Sequence, residues 1–310
     1  MKKLAAVKKL AAVLLLSSAT AWAVDPSKKD YAKVDIKVNK LAPGIAELEG
    51  EGGNIGVSFG EDGVFLIDDE FAPLAPKIKA AIATLSPKPV RFLFNTHWHG
   101  DHTGGNETFG TGGAIIVAQD NVRKRLSTEQ VMAAFHNTVP ASPPRALPVV
   151  TFLDEMTFFL NNEELHVIHV EHAHTDGDSL IHFKNANIVH TGDTYFSGGY
   201  PFIDIGSGGS IEGYIAAAAR ILSLCDDRTQ IIPGHGPLSN KAGFVEWRDM
   251  LTKVRDRVAK LKAGKKTLEQ VVAAKPSAEL DARWGGAFIK PDFFVTTVYQ
   301  TVGTFEAARR

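Results

Sequence analysis

The sequence predicts a mixed α/β fold in which two β-sheets pack face to face, with helices on their outer faces. Two observations predict it. Short apolar segments of strand length alternate with turns and helical segments in both halves of the 310-residue chain. Side chains that can bind metal ions follow strand ends in both halves, so the halves must pack together to form one site. Hydrophobic residues make up 44% of the chain, which is enough to bury the core of such a fold.

In the first half, a β-hairpin is the clearest prediction. Residues 54–59 and 64–67 are apolar segments of strand length, and a Gly-Glu-Asp-Gly turn at 60–63 joins them. Residues 76–85 are predicted as a helix, because apolar side chains recur there every three or four residues. The further expected elements are strands at 90–94 and 114–117 and polar helical turns over 119–138.

A proline-rich loop at 140–148 marks the midpoint between the halves. The second half is expected to contain paired strands at 152–160 and 165–170, paired strands at 179–183 and 188–190, and helices at 211–224 and 244–261. The tail from about 265 to 310 is rich in aromatic residues and matches no motif. We expect it to cover a sheet, because aromatic side chains are usually in the core. Closure over the site is the alternative.

The first 23 residues have the three parts of a secretory signal peptide. Four lysines form a basic start, residues 10–16 are apolar, and Ala21-Trp22-Ala23 is a small-x-small cleavage site. The apolar stretch is shorter than the ~20 residues that span a bilayer. We therefore expect cleavage after Ala23, a periplasmic or secreted protein, and no stable membrane anchor. The predicted organisation is a signal peptide at 1–23 and a single domain at 24–310, with a core at about 41–240 and a C-terminal helical extension at about 241–310.

The net charge argues against nucleic acid as a partner, and the cysteine content excludes an intrachain disulfide. The formal net charge is −1, and loss of the four leader lysines moves it to −5. A mildly acidic surface argues against nucleic acid as a partner, so a small-molecule substrate is expected. The chain has a single cysteine, which excludes an intrachain disulfide, and its core must supply the stability. The sequence makes no prediction of the oligomeric state.

Metal-binding side chains crowd into the run His97-Trp98-His99-Gly100-Asp101-His102. On extended backbone His97, His99 and Asp101 would point to one side, while His102 breaks the parity and can turn toward a neighbouring centre. A single tetrahedral site rarely draws four ligands from one loop, so two adjacent metals explain the crowding better. The apolar strand at 90–94 precedes the run, which places it at the carboxyl end of a strand.

Three later strand ends carry further ligands. His174 follows the apolar run 165–170, Asp193 follows the strand at 188–190, and His235 lies in a Pro-Gly-His-Gly-Pro turn after an apolar pair. An earlier acid, Asp68, ends the apolar run 64–67. Each of these positions follows a short strand and precedes a turn, which is where α/β folds place their sites.

These motifs resemble those of the metallo-β-lactamase superfamily. The signature His-x-His-x-Asp-His is present unaltered, and a His-Thr turn, a Gly-Asp turn and a Pro-Gly-His-Gly turn follow in the same order over roughly residues 45–240. The resemblance implies a four-layer αββα sandwich, the metallo-β-lactamase fold. It also implies that Asp68 orients a ligating histidine. The implied ligands are His97, His99 and His174 for one metal, Asp101, His102 and His235 for the second, and Asp193 as a bridge between both.

Five imidazoles and two carboxylates suit zinc, so two Zn²⁺ per chain are expected, although donor type alone leaves iron and manganese open. Relatives that reduce oxygen at two irons have a glutamate where this chain has His99, which favours hydrolysis over redox chemistry. Two adjacent dications lower the pKa of a shared water and give hydroxide near neutral pH. Asp101 would both ligate a metal and orient that hydroxide, which makes it a catalytic residue.

The residues around Asp193 bear on the substrate. Asp193 resembles the bridging acid of thioesterases, lactonases and phosphodiesterases, whereas antibiotic-hydrolysing members carry cysteine or serine in this region. Tyr195 resembles the tyrosine that assists the substrate carbonyl in lactonases, but the spacing is one residue short, so packing is the alternative. Phe196, Tyr200 and Phe202 are expected to form an apolar wall.

The sequence therefore predicts an exported dinuclear zinc hydrolase that uses metal-bound hydroxide to cleave a lactone, an ester or a β-lactam. A phosphodiesterase or a thioesterase of the same superfamily, or a periplasmic metal-binding relay protein without catalysis, are the alternatives. The full donor set argues against the last, because a binding protein needs no open hydroxide site.

Overall fold

Two β-sheets form the centre of the fold, as seen in a computed structural model that describes residues 29–304. The strands are β1 (Lys37–Ala42), β2 (Ile45–Glu49), β3 (Ile55–Gly60), β4 (Gly63–Ile67), β5 (Val90–Asn95), β6 (Ile115–Gln119), β7 (Gln130–Met132), β8 (Asn137–Val139), β9 (Val150–Phe152), β10 (Glu155–Leu160), β11 (Glu163–His169), β12 (Ser179–Phe183), β13 (Ile188–His190), β14 (Gln230–Ile232) and β15 (Ser239–Asn240). The helices are α1 (Ala75–Ala83), α2 (Gly100–Thr103), α3 (Asn106–Thr111), α4 (Asp120–Leu126), α5 (Ile211–Leu224), α6 (Lys241–Ala263), α7 (Leu268–Ala273), α8 (Ala278–Trp284) and α9 (Pro291–Thr301).

The first sheet has the strand order β1-β2-β3-β4-β5-β6-β9 and the second β10-β11-β12-β13-β14-β15, while β7 and β8 form a separate hairpin. In the first sheet β1 to β4 are antiparallel, and β4, β5, β6 and β9 run parallel. In the second sheet β10 to β13 are antiparallel, and β14 is parallel to β13. The parallel strands direct their carboxyl ends to one edge, which is where a site is expected.

Successive side chains of a strand point to opposite faces of its sheet, so each strand contributes to two apolar layers. On β4, Phe65 and Ile67 face the second sheet, whereas Val64 and Leu66 belong to the apolar cluster beneath α1. The layer between the sheets joins side chains of both, such as Phe94 of β5 and Val167 of β11. The outer face of the second sheet is covered by residues of α5, α6 and α9. Because the inner faces of the sheets pack together and helices cover their outer faces, the arrangement is the predicted αββα sandwich.

The long helix α6 shows how the sequence sets an element. The side chain of Asn240 accepts a hydrogen bond from the backbone N–H of Gly243, which caps the amino terminus, and Gly264 follows the last turn. Its buried side chains recur every three or four residues and form one apolar stripe. They are Phe244, Trp247, Met250, Leu251, Val254 and Val258.

Two sequence expectations are wrong in detail. Helical turns were expected throughout 119–138, but the helix ends at Leu126 and the β7–β8 hairpin follows, with His136 in the left-handed region at φ 51°. One strand was expected at 152–160, but the chain passes there from the first sheet to the second, between Phe152 of β9 and Glu155 of β10. The apolar pattern of the sequence cannot show where the chain passes from one sheet to the other, because the inward-facing side chains are apolar before and after that point.

The expected signal peptide at 1–23 lies outside the described residues. Among the helices within 29–304, none combines the length and the apolar character needed to cross a membrane.

Glu47 gives the stability of the fold a pH dependence. This β2 side chain is buried, its Oε1 has no hydrogen-bond partner, and its Oε2 accepts a hydrogen bond of 3.2 Å from Asn39. Burial raises the pKa of Glu47 to about 7. In the unfolded chain the same carboxyl has a pKa near 4.5, so between these values only the folded state keeps the proton. The free energy of unfolding must therefore fall as pH rises through this window.

We expect Glu47→Gln to remove this fall, because the amide stays neutral at every pH. From pH 5 to pH 8 the wild-type free energy of unfolding should drop by roughly 1–3 kcal/mol more than that of the variant. Urea unfolding of both proteins at the two pH values measures the difference. Parallel pH profiles for the two proteins would contradict a proton held by Glu47.

Candidate metal centre

The run of ligands after β5 begins on extended backbone and ends on a helix. His99 is extended (φ −65°, ψ 150°) and immediately precedes the short helix α2, which carries Asp101 and His102. The expectation that His97, His99 and Asp101 lie on one side of an extended segment is therefore wrong for Asp101. The change to helical backbone at Gly100 directs Asp101 to the same centre as His102 instead.

The structure brings all seven expected ligands together, in two groups. The first metal group consists of His97, His99, His174 and Asp193, and the second metal group consists of Asp101, His102 and His235. Within each group one ligand atom per residue lies within 4.8 Å of every other. The members come from the carboxyl ends of strands in both sheets, as the sequence predicted.

Distances in the first metal group converge on one carboxylate oxygen. Oδ2 of Asp193 lies 3.5 Å from Nε2 of His174 and 3.9 Å from Nε2 of His97. Nδ1 of His99 lies 2.8 Å from Nε2 of His174. His99 thus directs Nδ1 into the group, whereas the other two histidines direct Nε2.

The second metal group is joined to the first through Asp193. Its own members are close, with Nε2 of His235 3.3 Å from Oδ2 of Asp101 and 3.3 Å from Nε2 of His102. Asp193 Oδ1 lies 3.0 Å from Nε2 of His102, and its Oδ2 lies 3.4 Å from Nε2 of His235. One carboxylate therefore contacts nitrogen ligands of both groups, which is the position of a bridge.

These residues fit a pair of divalent cations. Metal–ligand bonds of about 2.1 Å in a tetrahedron separate neighbouring ligand atoms by about 3.4 Å, close to most of the distances above. In addition, Nε2 of His97 and Oδ1 of Asp193 are buried without a hydrogen-bond partner. Buried polar atoms normally have partners, and a cation would supply one to both.

Asp68 and Thr96 fix two of the histidines. Asp68 Oδ2 accepts hydrogen bonds from Nδ1 of His102 (2.7 Å) and from the Thr96 hydroxyl (2.7 Å). Nδ1 of His97 lies 3.1 Å from the same hydroxyl oxygen, which can accept its proton. Both imidazoles then keep Nε2 free of hydrogen and directed at the metal groups. Asp68 itself has φ 62°, a strained conformation of the kind that clusters at functional sites. The sequence predicted this orienting role for Asp68.

Three further partners had no local signal in the sequence. Asp204, 105 residues from His99, accepts a hydrogen bond of 2.9 Å from its Nε2 and leaves Nδ1 for the metal. His174 donates from Nδ1 to the carbonyl oxygen of Phe202 at 2.7 Å. The hydroxyl of Tyr214, on α5, lies 2.8 Å from the carbonyl oxygen of Asp193 and 2.7 Å from that of Phe202. A helix on the outer face thus braces Asp193.

The backbone approaches closely to one member of each metal group, His102 and Asp193. A Cβ on Gly53 would lie 2.0 Å from the His102 ring, and a Cβ on Gly234 would lie 2.1 Å from Asp193 Oδ1. Only glycine fits at these two positions. Asn54 donates hydrogen bonds from Nδ2 to the carbonyl oxygens of Pro233 (3.0 Å) and Gly236 (2.8 Å), so it holds the turn that carries His235.

The electrostatics of the site favour exchange of protons for cations. Burial lowers the pKa of His174 to about 4, which keeps its imidazole neutral and able to ligate. Burial also opposes a charge on His235, but the carboxylates of Asp193 and Asp101 outweigh it and raise the pKa of His235 to about 10. Despite its burial, Asp193 has a pKa held well below the usual range by the surrounding histidines. A dication can replace the proton that these acids draw onto His235.

The site opens to solvent on the side of the second metal group. The side chains of Asp101 and His235 are 28% and 30% exposed, whereas those of His97 and His174 are buried. Phe196 stacks on the His235 ring with 5.2 Å between ring centroids. A substrate would therefore reach the metals past Asp101, His235 and an aromatic face.

The structure corrects the placement expected of Tyr195. Its ring packs against Phe244 and Trp247 in the core, and its hydroxyl lies 2.9 Å from Ser239 Oγ. The backbone at Tyr195 is extended (φ −147°, ψ 128°), so consecutive side chains point to opposite sides. Phe196 takes the side of the ligands and Tyr195 the side of the core, which agrees with the packing alternative.

Comparisons with known proteins agree with this arrangement. The model of the metallo-beta-lactamase superfamily matches residues 48–235. A hydroxyacylglutathione hydrolase of Nitrosococcus oceani is 29% identical over 162 residues, which cover 49% of this chain and 51% of the relative. The chain thus spans about half the length of that relative.

Two solved structures share the fold. The stereoselective inverting sec-alkylsulfatase Pisa1 from Pseudomonas sp. matches with a TM-score of 0.64 at 17% identity, over 88% of this chain and 51% of that chain. A metallo-beta-lactamase from Pontibacter korlensis matches with a TM-score of 0.57 at 18% identity, over 70% of this chain and 99% of that chain. At these identities the likeness concerns the fold alone.

Proposed function

The chain belongs to the metallo-beta-lactamase superfamily, and from that premise we propose that it is an exported hydrolase that binds two zinc ions and cleaves an acyl bond. The proposed substrates are lactones, esters or β-lactams. The observation that carries the proposal is the position of Asp193, whose two carboxylate oxygens lie 3.0 Å from His102 Nε2 and 3.5 Å from His174 Nε2. A carboxylate shared by two groups of ligands supports a dinuclear site. Five imidazoles and two carboxylates suit zinc.

A pair of bound dications would supply a water of lowered pKa and an electrophile for a carbonyl oxygen. The chain supplies the orientation. Asp101 lies on the solvent-exposed side of the site, and one of its oxygens is 3.3 Å from His235 Nε2. Its carboxylate can therefore accept a hydrogen bond from the attacking water and hold it in line with the substrate. Phe196 stacks on the His235 ring and presents an apolar face beside it.

Acyl hydrolysis suits this environment better than cleavage of a charged diester. The approach to the metals passes an aromatic face at Phe196, and the formal net charge is −1 for the whole chain and −5 without residues 1–23, so a polyanionic substrate would gain little attraction. A thioester is the second candidate acyl substrate, and it is favoured by the likeness to a protein named hydroxyacylglutathione hydrolase. Metal binding without catalysis remains as an outcome of the test.

The test is a panel of substrates with the zinc-loaded protein. It contains a γ-lactone, a p-nitrophenyl ester, a cephalosporin, an acyl-glutathione thioester and bis(p-nitrophenyl) phosphate. We expect at least one acyl substrate to be cleaved far faster than the phosphodiester, with the Asp101→Asn variant as the matched inactive control. Faster cleavage of the phosphodiester would replace the proposal by a phosphodiesterase. No cleavage in the panel with both metals bound would favour a metal-binding relay protein.

Export is proposed from the composition of residues 1–23, which lie outside the described part of the chain. We expect mass spectrometry of the protein from the native host to find Val24 at the amino terminus, in the periplasmic or extracellular fraction. A full-length product retained in the cytoplasm would contradict export, and with it the preference for substrates outside the cytoplasm.

A further inference from the structure

Aromatic side chains from three distant segments meet beside the first metal group. The ring of Phe202 lies 6.0 Å from that of His99 and 5.7 Å from that of His174, measured between centroids. Phe135 lies 5.0 Å from Phe202, and Phe288 lies 5.9 Å from Phe135. The three phenylalanines, here called the aromatic rim, contact one another in a row that begins beside the metal ligands.

The rim depends on parts of the chain outside the ligand motifs. Phe135 lies in the 3-10 turn of the β7–β8 hairpin, which replaces the helical turns that the sequence predicted. Phe288 lies between α8 and α9, in the tail that was expected to cover a sheet. The tail covers the second sheet and also contributes to the rim. Phe294 of α9 is fully buried in the apolar cluster of that sheet, whereas Phe288 contacts Phe135 of the rim.

The tail segment is held firmly beside the site. The backbone N–H of Tyr200 donates to the carbonyl oxygen of Trp284 at 3.1 Å, and the Tyr200 hydroxyl donates to Asp281 at 2.8 Å. A Cβ on Gly199 would lie 2.8 Å from that of Ala287, so the two segments are in direct contact. The position of Phe288 is therefore set by ordered neighbours on both sides.

Exposure increases along the rim from the metals to the surface. Phe202 is buried, Phe135 is half-buried, and Phe288 is 49% exposed. Two further apolar side chains next to the same segments are exposed, Val131 at 68% and Ile205 at 40%. Apolar side chains grouped at the surface mark a binding site more often than single ones do. A row of aromatic side chains that is buried beside the metal ligands and exposed at the surface suits a ligand with a polar head and a long apolar chain.

We propose that the aromatic rim binds the apolar part of the substrate, so that the enzyme selects acyl groups with a long alkyl or aryl-alkyl chain. The inference rests on the proposed function for the position of the head group, which would lie at the metals. It rests on the aromatic rim for the apolar chain of the substrate, which would pass Phe202 and Phe135 and end at Phe288. All three side chains of the rim are hydrocarbon, so they recognise length and apolar area rather than charge.

Binding of simple carboxylates tests the rim without requiring catalysis. Zinc-loaded protein is titrated calorimetrically with acetate and with octanoate, and each buried methylene is expected to strengthen binding about threefold to fourfold. Allowing for partial burial, octanoate should bind about 100-fold more tightly than acetate. Phe288→Ala and Phe135→Ala should each weaken octanoate binding about tenfold and leave acetate binding unchanged.

The matched control is Phe159→Ala, which removes a phenylalanine that is 77% exposed on β10 and belongs to no part of the rim. Its octanoate affinity should equal that of the wild type, and the zinc content of all variants should be equal. The rim is overturned if octanoate binds no more tightly than acetate, or if Phe159→Ala loses as much affinity as Phe288→Ala.

Hydrolysis of p-nitrophenyl acetate and octanoate separates the rim from the proposed function. If both stand, kcat/KM favours the octanoate ester, and Phe288→Ala removes most of that preference. If chain-length-dependent binding is found but no acyl substrate is cleaved, the rim stands and the proposed function fails. If acyl substrates are cleaved without any dependence on chain length in rate or binding, the proposed function stands and the rim fails.

Discussion

Asp193→Ala is expected to weaken the binding of both metals. The carboxylate lies 3.5 Å from His174 Nε2 in the first metal group and 3.0 Å from His102 Nε2 in the second, so its loss removes a ligand from each. It also removes the negative charge that offsets the mutual repulsion of two dications. Loss of residues that only orient a ligand costs 10–100-fold in metal affinity, so loss of a shared ligand should cost at least about 100-fold at each metal.

The comparison that makes this result specific is His235→Ala. His235 belongs to the second metal group alone, and its side chain is 30% exposed, so the fold should tolerate the change. Titration of both variants with zinc in the presence of a competing chelator should show two weakened sites for Asp193→Ala and one for His235→Ala. Equal losses at a single site in the two variants would show that Asp193 is not a bridge.

Asp101→Asn is expected to lose most of the activity while keeping the fold. The amide has nearly the shape of the carboxylate, and the side chain is 28% exposed, so little packing is disturbed. The amide is, however, a poorer ligand and cannot accept a proton from the attacking water as the carboxylate can. A mispositioned nucleophile commonly costs ~10² in rate or more, so kcat should fall by at least that factor.

Zinc saturation separates the two contributions of Asp101. Activity of Asp101→Asn is measured at rising zinc until the second site is filled, with the metal content determined on the same samples. A deficit that persists at full occupancy would assign to Asp101 the orientation of water. Recovery to within threefold of the wild-type kcat would leave Asp101 with a ligating role only.

The sequence predicts which side chains cluster at the candidate site, because each of them follows a strand end. Strand ends are recognisable from short apolar runs bounded by Gly, Pro and Asp, as at 188–193 and 231–236. In an α/β sandwich the carboxyl ends of such strands converge, so residues far apart in sequence become neighbours in space. His97 and His174 show this, with ring centroids 4.7 Å apart.

Local sequence patterns could not predict residues that contact the site from distant parts of the chain. Asp204 orients His99 from a loop whose only notable feature in the sequence is its apolar neighbours. Tyr214 was expected only as part of a helix, yet its hydroxyl contacts the carbonyl oxygen of Asp193. Tyr195 was expected beside the substrate carbonyl, but its side chain lies in the core. On an extended chain, a shift of one residue moves a side chain to the opposite face.

The hairpin and the tail illustrate a second limit. Phe135 and Phe288 lie in segments whose polarity and aromatic content fit several structures, and only tertiary contacts decide between them. Their meeting beside Phe202 could not be inferred from spacing, since 153 residues separate Phe135 from Phe288 along the sequence.

The metal content of the purified protein decides whether the site is dinuclear. Purified protein is saturated with zinc, freed of excess metal by gel filtration, and measured by elemental analysis and by native mass spectrometry. Two zinc ions per chain are expected, from two groups of ligands that share Asp193. One zinc ion per chain, or none, at saturating zinc would contradict the dinuclear site.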